Sequence, residues 1–145
     1  MIAIVMTMVT TVRGQTIYSW WTANEAAFSD NADEDGFHEI AGATCFHIFL
    51  ILDDVSPLFP DSYSLYCLYE DCNGVRQDVF NAFVSDKPST NSDGTETLYE
   101  GFTLDERGRV NQEVVFLIDD DEGCIYYREE KTHYEAIFCG CKALK

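Results

Sequence analysis

Two glutamates of this sequence stand where a carboxylate could hold a positively charged ligand. Glu100 and Glu135 each follow a tyrosine inside a stretch that is typical of a β-strand. Side chains alternate between the two faces of a strand, so each carboxylate points away from its tyrosine. If that face of the strand lines the interior of the protein, the carboxylate is buried and needs a positively charged partner, because burial of an unpaired charge is costly. If it is the outer face, both acids are simply solvated.

Aromatic side chains could complete a site of this kind. The face of a tyrosine or phenylalanine ring attracts a cation with about 0.5 to 2 kcal/mol. Tyr99 and Phe102 lie close to Glu100 in the sequence and are candidates for this wall. These residue types therefore predict a pocket that binds a small organic cation without transforming it.

The sequence gives less support for catalysis or metal binding than for a cation-binding pocket. The sequence contains no Gly-x-Ser-x-Gly and no His-Glu-x-x-His, which are the signatures of common hydrolases. Asn31, Asp33, Asp35 and Gly36 resemble the start of a calcium loop, but the twelfth position, where such a loop needs a carboxylate, is Gly42. Paired acids for glycoside cleavage stay open, because they are recognised only by their separation in space. We expect no enzyme, no metal and no cofactor.

Six cysteines predict a disulfide framework. In an exported chain of this size an even number suggests three bridges, with 15 connectivities open. Cys139 and Cys141 would point to one side of a strand, so each is expected to bond a distant partner; a Cys124 to Cys139 bridge would contribute about 3 kcal/mol. The cysteines are Cys45, Cys67, Cys72, Cys124, Cys139 and Cys141.

The elements that would position these residues are mostly strands. Helical spacing of apolar residues predicts a short helix over Thr16 to Phe28. Runs of β-branched and aromatic residues between turn signals predict strands after it. These are Phe46 to Leu52, Tyr63 to Tyr69, Gln77 to Val84, Thr95 to Thr103, Glu113 to Ile118, Cys124 to Arg128 and Tyr134 to Cys139. The pattern indicates an all-β antiparallel fold, and the N-terminal helix favours a calyx-like barrel over a sandwich.

The first 14 residues indicate export. The mostly apolar run from Met1 to Val12 ends at Arg13 and Gly14, as in a signal peptide; the alternative is a buried first strand. It is too short to span a bilayer. Residues 15–145 would then form one secreted domain, since 145 residues suit a single core.

The charge of the chain limits its partners. Nine lysines and arginines against 26 aspartates and glutamates give a net charge of −17. Nucleic acids and anionic membranes are disfavoured, because both require local positive potential. Cationic partners are favoured instead.

The C-terminal part resembles the tick salivary lipocalins, a family that includes histamine-binding proteins. The resemblance rests on Gln112 to Phe116, an acidic turn, Gly123 to Tyr127, and Tyr134 to Phe138 followed by a closing cysteine. It implies a lipocalin-like barrel in which Glu135 is a ligand carboxylate and Glu113 a further candidate. It also implies that Cys124 pairs with Cys139 or Cys141.

The resulting hypothesis is a secreted protein that sequesters a biogenic amine such as histamine or serotonin. Its rivals are a disulfide-stapled protein that binds a basic host protein, a carrier of an eicosanoid or fatty acid, and a small secreted hydrolase. A carboxylate ligand would require interior lysine or arginine, and the chain has few.

Overall fold

The computed structural model describes residues 15–30, 36–40, 42–53 and 59–145. In these ranges the chain forms strands and no helix, which confirms the predicted all-β antiparallel fold. The strands are β1 (Gln15–Ala23), β2 (Glu25–Ser29), β3 (Ala43–Asp53), β4 (Ser62–Asp71), β5 (Arg76–Ser85), β6 (Ser89–Thr90), β7 (Glu96–Leu104), β8 (Val110–Asp119), β9 (Cys124–Glu129), β10 (Glu135–Cys139) and β11 (Lys142–Ala143). The predicted signal peptide, Met1 to Gly14, and most of the calcium-like motif lie outside the described residues.

The predicted N-terminal helix over Thr16 to Phe28 is wrong, because β1 and β2 occupy this stretch. The register of β1 against β3 shifts between Ile17 and Ser19, which leaves Tyr18 as the extra residue of a bulge. In a regular strand, residues three positions apart point to opposite faces, but the bulge brings Ile17 and Trp20 into one cluster. A spacing of three is also typical of one face of a helix, and for this reason the sequence pattern of β1 resembles that of a helix.

The strands form one antiparallel ladder. Its order is β11-β1-β3-β4-β5-β7-β8-β9-β10-β2, and β6 pairs with β7. Only Asn24 separates β1 from β2, yet β1 pairs with β3 while β2 pairs with β10. The end strands β11 and β2 do not pair with each other, so the ladder is not closed into the predicted barrel.

The sheet is strongly curved, because one of its faces packs against itself. The rings of Phe46 in β3 and Phe138 in β10 lie 5.7 Å apart between centroids. Phe80 in β5 stacks on Tyr127 in β9 at 3.8 Å. Neither pair of strands is adjacent in the ladder. Burial of this aromatic face is the main source of stability for such a sheet.

A second, smaller cluster lies on the opposite face of β1, β3 and β4. Ile17, Phe49 and Leu68 are buried there, with Trp20 packed against them. Trp20 donates a hydrogen bond from its indole Nε1 to Nδ1 of the buried His47 at 3.3 Å. Both faces of β3 are therefore buried, which explains why its sequence is a continuous apolar run.

The seam between β5 and β7 is short, as is the pairing of β1 with β11. Only two residue pairs join β5 to β7, Phe83 with Phe102 and Val84 with Gly101. A Cβ atom on Gly101 would lie 1.8 Å from the carbonyl oxygen of Phe83. Glycine is required at this position because the two backbones approach too closely for any side chain.

Candidate ligand-binding site

The residues predicted around Glu100 are divided between two faces. Tyr99 lies opposite Phe116 in the core and is 7% exposed, whereas Glu100 is exposed on the other face. Glu113 is exposed as well, and its cross-strand neighbour Phe102 packs against other rings outside the core cluster. Because Tyr99 occupies the buried face, strand alternation turns Glu100 outward. The interior position considered for Glu100 is therefore wrong, and its solvated alternative holds.

Glu135 also lies outside the core, but it borders a pocket. Its neighbour Ala136 takes the buried face of β10, so Glu135 is half-buried on the other face. There it lines a cavity of about 220 Å³, the outer pocket, together with Val115, Tyr126 and Ile137. This wall is mostly apolar.

A second depression, the end pocket, is wide open to solvent and lies where β2 and β9 end and β10 begins. Its volume is about 300 Å³, at the lower end of the range for small-molecule sites. The lining residues are Asp30, Val79, Phe80, Glu129, Thr132 and Tyr134. The pocket combines two carboxylates with two aromatic rings, which is the combination that the sequence predicted at other positions.

Neutral donors hold the Glu129 carboxylate in a fixed orientation. Oε2 accepts a hydrogen bond from the Tyr127 hydroxyl at 2.7 Å. Oε1 accepts one from the Thr132 hydroxyl at 2.8 Å and one from the Gln112 amide at 3.1 Å. The ion pairs formed by the described residues do not include Glu129. Its negative charge is oriented but is not neutralised by a basic side chain of the described ranges.

Gln112 connects this carboxylate to the turn between β9 and β10. Its Oε1 accepts hydrogen bonds from the backbone N–H groups of Lys131 at 2.9 Å and Thr132 at 3.1 Å. Gln112 is buried with Val114 and Phe116 on the core face of β8. A polar residue at a core position of an alternating strand was the available sequence signal, and it was missed.

The aromatic wall of the end pocket is continuous with the core. Tyr134 stacks on Phe28 with 6.4 Å between ring centroids and contacts Tyr127 at 6.2 Å. Burial raises the pKa of both tyrosines well above the usual value, and the nearby Glu129 carboxylate raises it further. Both rings therefore stay neutral at physiological pH, and the Tyr134 ring lines the end pocket with an electron-rich face.

The predicted framework of three disulfides stays a prediction, and the six cysteines differ in their burial. Cys124 and Cys139 come closest to the expectation, with 3.5 Å between their sulfur atoms. Cys67 is completely buried in the core, and Cys72 is exposed. Because Cys67 takes a core position of β4, its side chain is directed away from a surface partner.

Within the described ranges, no three His, Cys, Asp or Glu side chains are grouped so that they could hold a metal ion. Among the same residues, no helix has the length and apolar character needed to cross a membrane. Compared with protein-family models, curated proteins and solved structures, the chain matches none.

Proposed function

We propose that this protein binds a small organic cation, a biogenic amine such as histamine or serotonin, in the end pocket. The observation that carries the proposal is the Glu129 carboxylate, which three neutral donors orient beside the ring of Tyr134. An ammonium group placed there would supply the positive charge that no described ion pair provides. Binding is the whole function, and no chemical step follows.

The energetics of the pocket favour a cation over an anion. Asp30 provides a second carboxylate at the rim, and Phe80 and Tyr134 provide ring faces. Each ring would add about 0.5 to 2 kcal/mol of cation–π attraction. The net charge of −17 attracts cations from a distance and repels the carboxylate of a fatty acid or eicosanoid.

The architecture proposed with this function is a lipocalin-like calyx formed by the curved sheet. Its support is the aromatic core shared by strands that are not neighbours in the ladder, together with the resemblance to tick salivary lipocalins. The apolar stretch before Arg13 supports secretion of the domain. A secreted amine-binding protein would lower the concentration of free amine around it.

Titration calorimetry with histamine and serotonin tests the proposal. Glu129→Gln keeps the size of the side chain but removes its charge, so amine affinity should fall at least tenfold, or about 1.4 kcal/mol. Tyr134→Leu should weaken binding by a smaller factor through loss of the ring face. Glu122→Gln, an exposed change in the β8–β9 turn, is the control and should bind as the unmodified protein does.

Three other results would overturn the proposal. Equal affinity of the Glu129→Gln variant and the unmodified protein would remove the end pocket as the site. Loss of binding in Glu135→Gln alone would move the site to the outer pocket. Binding of a fatty acid without any amine would replace the ligand class.

A further inference from the structure

An apolar stripe crosses the outer face of five consecutive strands. Strand register aligns one residue from each of β7, β8, β9, β10 and β2 in a single row. The row, called the outer stripe, consists of Leu98, Leu117, Tyr126, Ile137 and Ala27. All five side chains are half-buried, and none belongs to either hydrophobic cluster.

The outer pocket is a depression in the middle of this stripe. Leu117, Tyr126 and Ile137 form its floor, and Phe37 stands at its side. Phe37 is 45% exposed. A backbone bridge between its neighbour His38 and Phe28 fixes this segment along the edge of β2. The stripe is thus a shallow apolar groove with one exposed aromatic ring beside it.

Carboxylates border the stripe on both sides. The next row on the same face lies two residues along each strand. It contains Glu96 on β7 and Asp119 on β8, and it ends at Glu25 on β2. The row on the other side contains Glu100 and Glu135. These rows place negative charge along both edges of the groove.

A basic residue, Arg128, stands on this face and offsets only part of that charge. Arg128 lies between Val115 and Glu135 in the second row. Its guanidinium is paired with Glu130 at 3.0 Å. The groove therefore combines an apolar floor with two acidic borders.

We propose that the outer stripe is a docking surface for a basic amphipathic helix of a partner protein. Such a helix has an apolar face between lysines or arginines. Neighbouring strands are about 4.8 Å apart and a helical turn rises about 5.4 Å, so each turn would place an apolar side chain near one strand. Because the outer face of the curved sheet is convex, a straight helix would contact chiefly the middle strands β8, β9 and β10, which span about 10 Å or about two helical turns.

Charge distinguishes this occupant from the alternatives. A second copy of the chain would bring its own acidic borders against those of the first, and like charges in contact are unfavourable. An anionic membrane would be repelled by the same carboxylates. A helix with basic flanks complements both the floor and the borders.

The proposal is tested with a synthetic peptide of about 14 residues. Fluorescence anisotropy measures its binding to the protein. The probe carries leucines at helical i, i+3, i+4 and i+7 spacing between lysines, and the control peptide has the same composition in scrambled order. We expect at least tenfold tighter binding of the amphipathic peptide. The double variant Leu117→Thr with Ile137→Thr should lose at least tenfold in affinity, because threonine keeps β-propensity but removes apolar surface.

Matched variants separate the stripe from general charge attraction. Glu96→Gln with Glu100→Gln should weaken the complex severalfold, and Glu106→Gln in an exposed turn should not. Val110→Thr, which changes an apolar residue that is 61% exposed and lies outside the stripe, should also bind normally. Circular dichroism establishes that each variant is folded.

Several outcomes would contradict the proposal that the outer stripe is a docking surface. These are equal binding of the scrambled peptide, unchanged binding by the stripe variant, or a concentration-dependent dimer that the Leu117→Thr change abolishes. The Glu129→Gln variant should bind the peptide normally, so failure of the amine site and failure of the docking surface are distinguishable.

Discussion

The sulfur atoms of Cys124 and Cys139 lie 3.5 Å apart across β9 and β10. The N–H of Glu129 donates to the carbonyl of Tyr134, and hydrogen-bonded pairs alternate along an antiparallel ladder. Continuing the register places Cys124 directly opposite Cys139 at a position without ladder hydrogen bonds. Cα atoms at such positions are about 4.5 Å apart, which a disulfide can span.

Mild oxidation should therefore join Cys124 to Cys139. A loop of this length is expected to stabilise the fold by about 3 kcal/mol in the chain-entropy model. Peptide mapping identifies the bond, and urea denaturation measures the gain. Cys139→Ser should abolish the gain, whereas Cys72→Ser, an exposed change, should keep it. A bond from Cys124 to Cys141 instead would contradict the prediction.

Acid should weaken the fold through His47. Burial lowers the pKa of His47, and this effect outweighs the opposing influence of the Glu70 carboxylate. The unfolded chain takes up a proton near pH 6.5 while the folded chain resists it. The stabilisation is therefore complete above that pH and is lost as the pH falls through the folded-state value.

The measurement is the urea midpoint of the unmodified protein and of His47→Gln between pH 7.5 and 5.5. The unmodified protein should lose more stability over this interval than the variant, because glutamine does not titrate. His38→Gln alters an exposed side chain and should behave as the unmodified protein does. Parallel pH curves for all three proteins would show that His47 does not contribute.

The β5–β7 seam should not tolerate a side chain at Gly101. Gly101→Ala would force the new Cβ atom against the Phe83 carbonyl, and such overpacking costs about 3 kcal/mol or more. Gly108→Ala is the comparison, because Gly108 has φ of 77° and open space around it. Its cost should be about 1 to 2 kcal/mol, from backbone strain alone. Similar urea midpoints for the two variants would contradict the close approach of the strands.

Runs of β-branched and aromatic residues between turn signals predicted most of the strands from the sequence. The predicted run Phe46 to Leu52 lies within β3, and Tyr63 to Tyr69 lies within β4. The N-terminal helix could not be excluded, because the bulge at Tyr18 is a register shift that depends on the pairing with β3. Propensity and periodicity do not encode such a shift.

The candidate site was harder to predict than the strands. The sequence suggested carboxylates beside tyrosines and favoured Glu135 and Glu100, whereas the proposed site contains Glu129. What distinguishes Glu129 is its contacts with Tyr127, Gln112 and Thr132. Two of these partners come from another strand and a turn, so only the three-dimensional register brings them together.

The division of the first strand at Asn24 has a consequence for synthesis of the chain. β1 can pair with β3 early, but β2 has to wait for β10, which is more than 100 residues downstream. Contacts so distant in sequence slow folding and leave strand edges open to aggregation. On the ribosome, the edge of β2 stays available until the last turn of the domain has emerged. β2 thus joins the sheet only after β10 has formed, and loss of β10 would leave β2 without its partner strand.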